Sequence, residues 1–119
     1  MEVRSRDGAV PFTTADGSTI RSLLDRSNAP VENHSLAEAA LSPGQATVRH
    51  HHRLSEEIYY LIEGSGEMEL DGERRPVAAG DAILIPPGAR HRIANTGDGP
   101  LRMLVTCAPA YSHEDTYFD

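Results

Sequence analysis

Short runs of strand-like residues, separated by glycine and proline, extend along most of the chain. Glycine and proline recur between these runs, for example at Gly80, Pro86 and Pro87, and such close spacing leaves room only for short elements. The runs with strand character are residues 35–41, 46–52, 58–62, 67–70, 82–85, 91–95 and 101–107. Many short strands at regular intervals are typical of a β-sandwich or a β-barrel. We therefore expect an all-β fold.

Two local patterns refine this prediction. Asp71-Gly72 carries the positive-φ chemistry of a tight hairpin turn, so residues 74–77 would form the return strand. Residues 19–26 are the segment where a helix is plausible, with Ser18 as its N-cap and apolar residues on one face. The prediction is therefore a barrel with at most one short helix, near the N-terminus.

Length, charge and cysteine content narrow the class of protein. At 119 residues the chain has the size of one ordinary domain. Its 18 acidic and 11 basic side chains give a formal charge of -7, which repels the phosphate backbone of nucleic acids. Cys107 is the only cysteine, so an intrachain disulfide is excluded and a reducing compartment fits best. Without an apolar leader or a membrane-spanning run, we expect a cytoplasmic protein with no membrane or nucleic-acid partner.

The most informative stretch is residues 44–57, which contains a run of histidines. On a strand, alternate residues share a face, so Val48, His50 and His52 would point to one side and His51 to the other. Glu57 opens the next predicted strand and could bring a carboxylate to the same interior point. Histidine and carboxylate ligands together suit a borderline divalent metal.

A second block, residues 80–95, contains an apolar strand, the rigid turn Pro86-Pro87-Gly88 and then His91. This order places His91 shortly after a rigid turn. His91 could therefore supply a fourth ligand.

These two blocks resemble the two cupin motifs position by position. Every motif position is filled: Gly44, His50, His52, Glu57 and Gly64 in the first, and Gly80, Pro86, Gly88, His91 and Asn95 in the second. The chain is similar to the small single-domain bacterial cupins that are often labelled mannose-6-phosphate-isomerase-like. The resemblance implies a double-stranded β-helix, or jelly-roll barrel, formed by residues 1–119 as one domain with its motif-bearing core at residues 44–95.

The resemblance also implies a metal site and a homodimer. In cupins three histidines and a glutamate bind one divalent ion, which is manganese, iron, nickel, zinc or cobalt; here these roles fall on His50, His52, Glu57 and His91. Glu56 competes with Glu57, because some cupins use a shorter spacing, but the spacing from Glu57 to Gly64 favours Glu57. Small cupins usually pair through an outer sheet or through exchanged N-terminal strands.

Four protein ligands leave one or two positions open on a metal that accepts five or six, which is typical of a catalytic site. We therefore expect a metal-dependent enzyme that acts on a small polar oxygenated metabolite by isomerase, lyase or dioxygenase chemistry. The alternative is a non-catalytic cupin that binds a sugar or an organic acid as a sensor or accessory protein.

Other side chains could take part in binding or chemistry. Tyr59 shares the predicted interior face with Glu57, and no free carboxylate is predicted there beyond the ligand, so its phenol is the nearest candidate for acid–base catalysis. Tyr60 should face the opposite side. Several arginines lie near the expected barrel mouth and could hold a carboxylate or phosphate, or simply be solvated surface residues: Arg53, Arg90, Arg92 and Arg102.

Overall fold

The structure, a computed structural model, describes residues 1–119 and is built from eleven β-strands, with one short 3₁₀ turn at His113–Asp115. In chain order the strands are β1 Phe12–Thr13, β2 Thr19–Leu24, β3 Ser35–Leu41, β4 His51–His52, β5 Glu56–Glu63, β6 Ser65–Leu70, β7 Glu73–Ala78, β8 Ala82–Ile85, β9 His91–Asn95, β10 Leu101–Ala108 and β11 Thr116–Tyr117. None of its segments is a helix long and apolar enough to cross a membrane.

The strands form a large sheet and a smaller sheet that pack against each other. The large sheet has the order β1-β2-β3-β10-β5-β8, the smaller one has the order β7-β6-β9, and β11 pairs with β4. Leu61 and Met103 from the large sheet share one apolar core with Met68 and Ile93 from the smaller sheet. This arrangement confirms the predicted all-β jelly-roll fold.

The register of the large sheet separates an apolar end of the barrel from a polar end. At one end, Leu101 of β10 pairs with Leu41 of β3, and both side chains are fully buried. At the other end, Cys107 of β10 lies between Ser35 of β3 and Glu57 of β5. Since Ser35 and Glu57 are also buried, this end of the barrel encloses polar side chains.

The helix considered for residues 19–26 is wrong, because Thr19–Leu24 forms strand β2. This strand pairs with β1 on one side and with β3 on the other. Sheet pairing thus satisfies its backbone groups, whereas an isolated helix of two turns would be marginal. Ser18, the expected N-cap, is instead buried in the turn before β2.

The predicted strand over residues 46–52 is mostly irregular. Only His51–His52 is a regular strand, and His50 makes an isolated bridge to His91 of β9. Val48, which strand alternation placed inside, is 52% exposed. Alternation therefore holds across the histidines but does not extend back to Val48.

Two turns have the backbone conformation that their residues predict. Asp71 and Gly72, between β6 and β7, have φ values of 48° and 88°, as a tight hairpin of the mirror-image type requires. Gly64 has a φ of 90°, and a Cβ atom there would overlap the carbonyl oxygen of Pro100. The hairpin prediction is confirmed. Position 64 requires glycine because a side chain there would collide with the backbone of Pro100.

Candidate metal site

Two of the predicted ligands are set side by side by the backbone. The N–H of His50 donates to the carbonyl oxygen of His91 over 3.1 Å, and the N–H of His91 donates to the carbonyl oxygen of His50 over 2.9 Å. This bridge brings the two ring centroids to 4.2 Å. These two hydrogen bonds therefore align His50, at the end of the irregular segment before β4, with strand β9.

The other two predicted ligands complete the cluster. Ligand atoms of His50, His52 and His91 lie within 4.8 Å of one another, and all three residues are buried. Oε1 of Glu57 lies 3.4 Å from Nε2 of His52 and 3.1 Å from Nε2 of His91. The fold thus gathers all four residues at the polar end of the barrel.

Each histidine is held by a backbone carbonyl at its other ring nitrogen. Nδ1 of His50 lies 2.8 Å from the carbonyl oxygen of Val48. Nδ1 of His91 lies 2.9 Å from the carbonyl oxygen of Ala89, and Nδ1 of His52 lies 3.1 Å from that of Asp115. Because a carbonyl oxygen only accepts, each Nδ1 carries the proton and each Nε2 presents a lone pair. This is the usual orientation of metal-binding histidines.

The centre of the cluster fits a cation. Nε2 of His52, Nε2 of His91 and Oε1 of Glu57 are buried without a hydrogen-bond partner. Lone pairs that face one another at this distance repel unless a positive charge lies between them, and buried polar atoms without a partner are costly. Three imidazoles and one carboxylate are a donor set that suits a borderline divalent metal.

The surroundings of Glu57 keep its carboxylate ionised, the form that binds a cation. Burial alone would raise the pKa of Glu57, but His52 and His91 outweigh it and lower this pKa to about 2. Burial lowers the pKa of His52, but the adjacent Glu57 carboxylate and the contributions of Asp115 together outweigh it, for a net increase. The pKa of His50 is lowered, first by burial and then by neighbouring His91. Glu57 is therefore ionised at neutral pH, as ligation requires.

The neighbours of the ligands face elsewhere. His51 is buried but points away from the cluster, and its ring stacks on Tyr117 with centroids 5.3 Å apart. Glu56 is exposed while Glu57 is buried, so only Glu57 is placed for ligation. His34 and His113 are exposed.

A cavity of about 480 Å³ opens beside the cluster, and its wall includes His50, His52 and Glu57. This volume lies in the usual range for small-molecule sites, roughly 300–1,000 Å³. Much of the wall is apolar, with contributions from β2, β3, β9 and β10: Ile20, Ala37, Ala39, Leu41, Ile93, Met103 and Val105. A small molecule in this cavity would contact the ligand cluster directly.

Tyr59 lies on the cavity wall, as strand alternation predicts. It is buried, and its ring centroid is 6.0 Å from that of His91. Burial, with smaller contributions from the charges of Glu57 and Asp16, raises the pKa of its phenol. Tyr60 faces the opposite side of the sheet and is 45% exposed.

The cavity wall includes none of the arginines considered as anion anchors: Arg53, Arg90, Arg92 and Arg102. Arg53 instead stacks over the ring of Tyr117, 3.9 Å from its centroid. Arg102 forms an ion pair of 2.7 Å with Glu63. The hypothesis of an arginine-lined anion site is therefore wrong for this cavity.

Two acidic residues near the site were missed by the sequence reasoning. Asp16, in the turn before β2, projects a carboxylate to within 3.9 Å of Nε2 of His50. Asp115, in the C-terminal segment, is buried beneath the turn that follows His52. Both come from segments far from the motifs, and nothing in their local sequence signals a role; only the fold brings them to the cluster.

Comparison with known proteins agrees with this fold. Residues 37–107 match the family model described as the cupin domain, which is more than half of the chain. The chain therefore belongs to the cupin family.

Several relatives share more than half of its length. An uncharacterized protein of Methanocaldococcus jannaschii is 48% identical over 110 residues, which cover 92% of this chain and 88% of that protein. The polyketide synthase CurC of Streptomyces cyaneus is 34% identical over 84% of this chain and 68% of its own length. The oxalate-binding protein of Thermotoga maritima is 37% identical over 58% of this chain and 57% of its own.

Solved structures show the same fold. A predicted oxalate decarboxylase from Thermotoga maritima superposes with a TM-score of 0.81 at 25% identity, covering 91% of this chain and 99% of that one. The polyketide cyclase RemF from Streptomyces resistomycificus gives a TM-score of 0.78 at 26% identity, covering 97% and 89%.

Proposed function

We propose that this chain is a divalent-metal-dependent enzyme that acts on a small oxygenated metabolite by isomerase, lyase or dioxygenase chemistry. The observation that supports this most is the position of the cluster: His50, His52 and Glu57 form part of the wall of a cavity large enough for a small molecule. In a structural metal site, protein ligands fill every coordination position, whereas a catalytic site keeps a position open to a substrate. The metal, held by these residues and His91, would be manganese, iron, nickel, zinc or cobalt.

A bound metal would polarise an oxygen atom of the substrate and thereby acidify a neighbouring C–H bond. The chain itself must then bind the molecule, exclude water and handle a proton. The apolar wall performs the first two tasks, and we assign the third to Tyr59, the buried phenol on the same wall. Its hydroxyl would donate a proton to the substrate oxygen on which charge develops, and the phenolate formed would take up the proton that the neighbouring C–H bond loses.

The relatives support an enzyme on cyclic oxygenated molecules. CurC is named as a polyketide synthase protein and RemF as a polyketide cyclase. Cyclisation and dehydration of polyketides are lyase-type and proton-transfer reactions, which fit a Lewis acid beside a phenol.

The test is turnover after reconstitution. The purified protein is stripped with a chelator, reloaded separately with each of the five metals and incubated with a panel of hydroxylated aromatics, sugars and organic acids. We expect product with at least one metal and none with the stripped protein. Metal-loaded protein that converts no compound on a broad panel would contradict the proposal.

A non-catalytic binding protein is the second candidate, because one relative is named as an oxalate-binding protein. In that case the same panel should raise the melting temperature of the metal-loaded protein without any turnover. Turnover and thermal shift measured on the same samples separate the two candidates.

We further propose that the protein is a cytoplasmic homodimer. Its single cysteine is buried and free, which suits a reducing compartment. Three large apolar side chains are exposed on the outer face of the large sheet, and we call them the outer apolar patch: Ile58, Tyr60 and Leu84. Exposed apolar patches on a soluble protein often mark an interface, and a second copy is the simplest partner.

A further inference from the structure

Asp16 brings a carboxylate into the cavity from outside the motif strands. It lies in the turn between β1 and β2, and its backbone carbonyl accepts from the N–H of Val48 over 2.8 Å. This bond ties the turn to the segment just before His50. The Asp16 side chain is only 15% exposed, and it lines the cavity.

The two carboxylate oxygens of Asp16 have different surroundings. Oδ1 accepts hydrogen bonds from the N–H of Ser18 over 2.9 Å and from its hydroxyl over 2.6 Å. Oδ2 lies 3.9 Å from Nε2 of His50, which is beyond hydrogen-bond distance. One oxygen thus fixes the orientation of the group, and the other is left to accept from a molecule in the cavity.

The charge around the cavity disfavours anions. Its wall carries four carboxylates against a single arginine: Asp16, Asp25, Glu57 and Glu114, with Arg26. A divalent ion with Glu57 would keep one positive charge, which would attract an anion, but Asp16 cancels that charge beside His50. The remaining wall is largely apolar. A molecule with an apolar body and neutral hydrogen-bond donors suits this wall.

We infer that Asp16 is a specificity-determining residue that accepts a hydrogen bond from a hydroxyl of an uncharged substrate with an apolar ring, and that it rejects the corresponding carboxylate. The inference rests on the metal-bearing cavity of the proposed function and names its substrate class. A hydroxyl pointed at Oδ2 forms a charge-assisted hydrogen bond in a partly dry site. A carboxylate in the same place would meet a like charge.

Catechol and salicylate are the matched probes, because they differ only in the exchange of one hydroxyl for a carboxylate. Their binding to the zinc-loaded protein is measured by calorimetry, which needs no turnover. We expect catechol to bind at least about tenfold more tightly than salicylate, the effect of one charge-assisted hydrogen bond. In Asp16→Asn we expect catechol to weaken about tenfold and salicylate to bind more tightly than it does to the wild type.

If the affinities for the two probes change in opposite directions, Asp16 discriminates by charge, since a merely structural defect would weaken the binding of both. Asp98→Asn is the control, because it makes the same chemical change at an exposed residue that does not line the cavity; it should leave the preference unchanged. Equal weakening of both probes in Asp16→Asn, loss of zinc in that variant, or a wild-type preference for salicylate would each overturn the inference. If catechol binds as expected while no compound is converted, the inference stands and the enzymatic proposal fails.

Discussion

The backbone carbonyl oxygen of Asp115 lies 3.1 Å from Nδ1 of His52, although 63 residues separate the two in the chain. The Asp115 carboxylate also accepts from the N–H groups of Arg53, Leu54 and Ser55, over 3.0 to 3.1 Å. One residue of the C-terminal segment thus orients a candidate ligand and caps the turn that joins it to Glu57.

Asp115→Ala should lower both stability and metal affinity. The substitution leaves backbone donors without their carboxylate, at a cost of about 2–3 kcal/mol, or a melting temperature lower by roughly 10 °C. The variant keeps the backbone carbonyl that accepts from His52, but it loses the carboxylate that ties this segment to the turn, so the carbonyl should be less well placed and metal binding should weaken by roughly 10-fold. Calorimetric unfolding and metal titration measure the two effects.

Glu114→Ala is the matched control, because Glu114 is the adjacent acidic residue and is exposed. It should behave nearly like the wild type in both measurements. If Asp115→Ala bound metal as tightly as the control did, the Asp115 carboxylate would have no part in positioning the site.

The contribution of Asp115 shows where sequence reasoning reaches its limit. Strand alternation, which is local, predicted that His50 and His52 share one face, whereas their grouping with Glu57 and His91 as a ligand set was expected from the resemblance to the cupin motifs. Nothing in the sequence around Asp115 marks it as important, because its partners lie about 60 positions away. Asp16 was missed for the same reason. The short helix expected over residues 19–26 failed because sheet pairing, which is also non-local, overrides weak helical periodicity.

The histidine cluster predicts a distinct pattern of metal loss. His50→Ala, His52→Ala and His91→Ala each remove one Nε2 donor, so each should lower the bound metal measured by elemental analysis. His51→Ala should retain metal near the wild-type level, because the ring of His51 stacks on Tyr117 and not on the cluster.

The same series gives an independent check on stability. His51 is fully buried, so His51→Ala should lower the free energy of unfolding by about 1–3 kcal/mol while metal content stays high. Equal metal loss in all four variants would mean that the strand phasing assigned to this segment does not govern ligation.

The outer apolar patch predicts the oligomeric state. Ile58 of β5 pairs directly with Leu84 of β8, and these side chains are 41% and 55% exposed. Light scattering should give a dimer mass for the wild type. Ile58→Lys combined with Leu84→Lys should give a monomer, since like charges would face each other across the interface. A wild-type monomer at high protein concentration, or a dimer that survives the double substitution, would rule out this interface.

Tyr59→Phe isolates the proposed role of the phenol. The substitution keeps the buried ring and removes only the hydroxyl, so fold and metal content should match the wild type. If the hydroxyl donates to charge that develops on the substrate, turnover should fall by roughly 10²-fold, the usual contribution of general acid–base catalysis. The decrease should appear in kcat more than in KM, because the interaction strengthens in the transition state.

Tyr60→Phe provides the matched control for this experiment. Tyr60 is the next residue on β5, undergoes the same chemical change and faces the outside of the sheet. It should leave kcat unchanged. The comparison then shows that the effect comes from losing a hydroxyl inside the cavity and not from losing any hydroxyl of β5. A Tyr59→Phe variant that turned substrate over at the wild-type rate would remove the phenol from the mechanism. The proton would then have to pass through another group on the cavity wall, and Asp16, with its unengaged Oδ2 beside His50, would be the residue to substitute next.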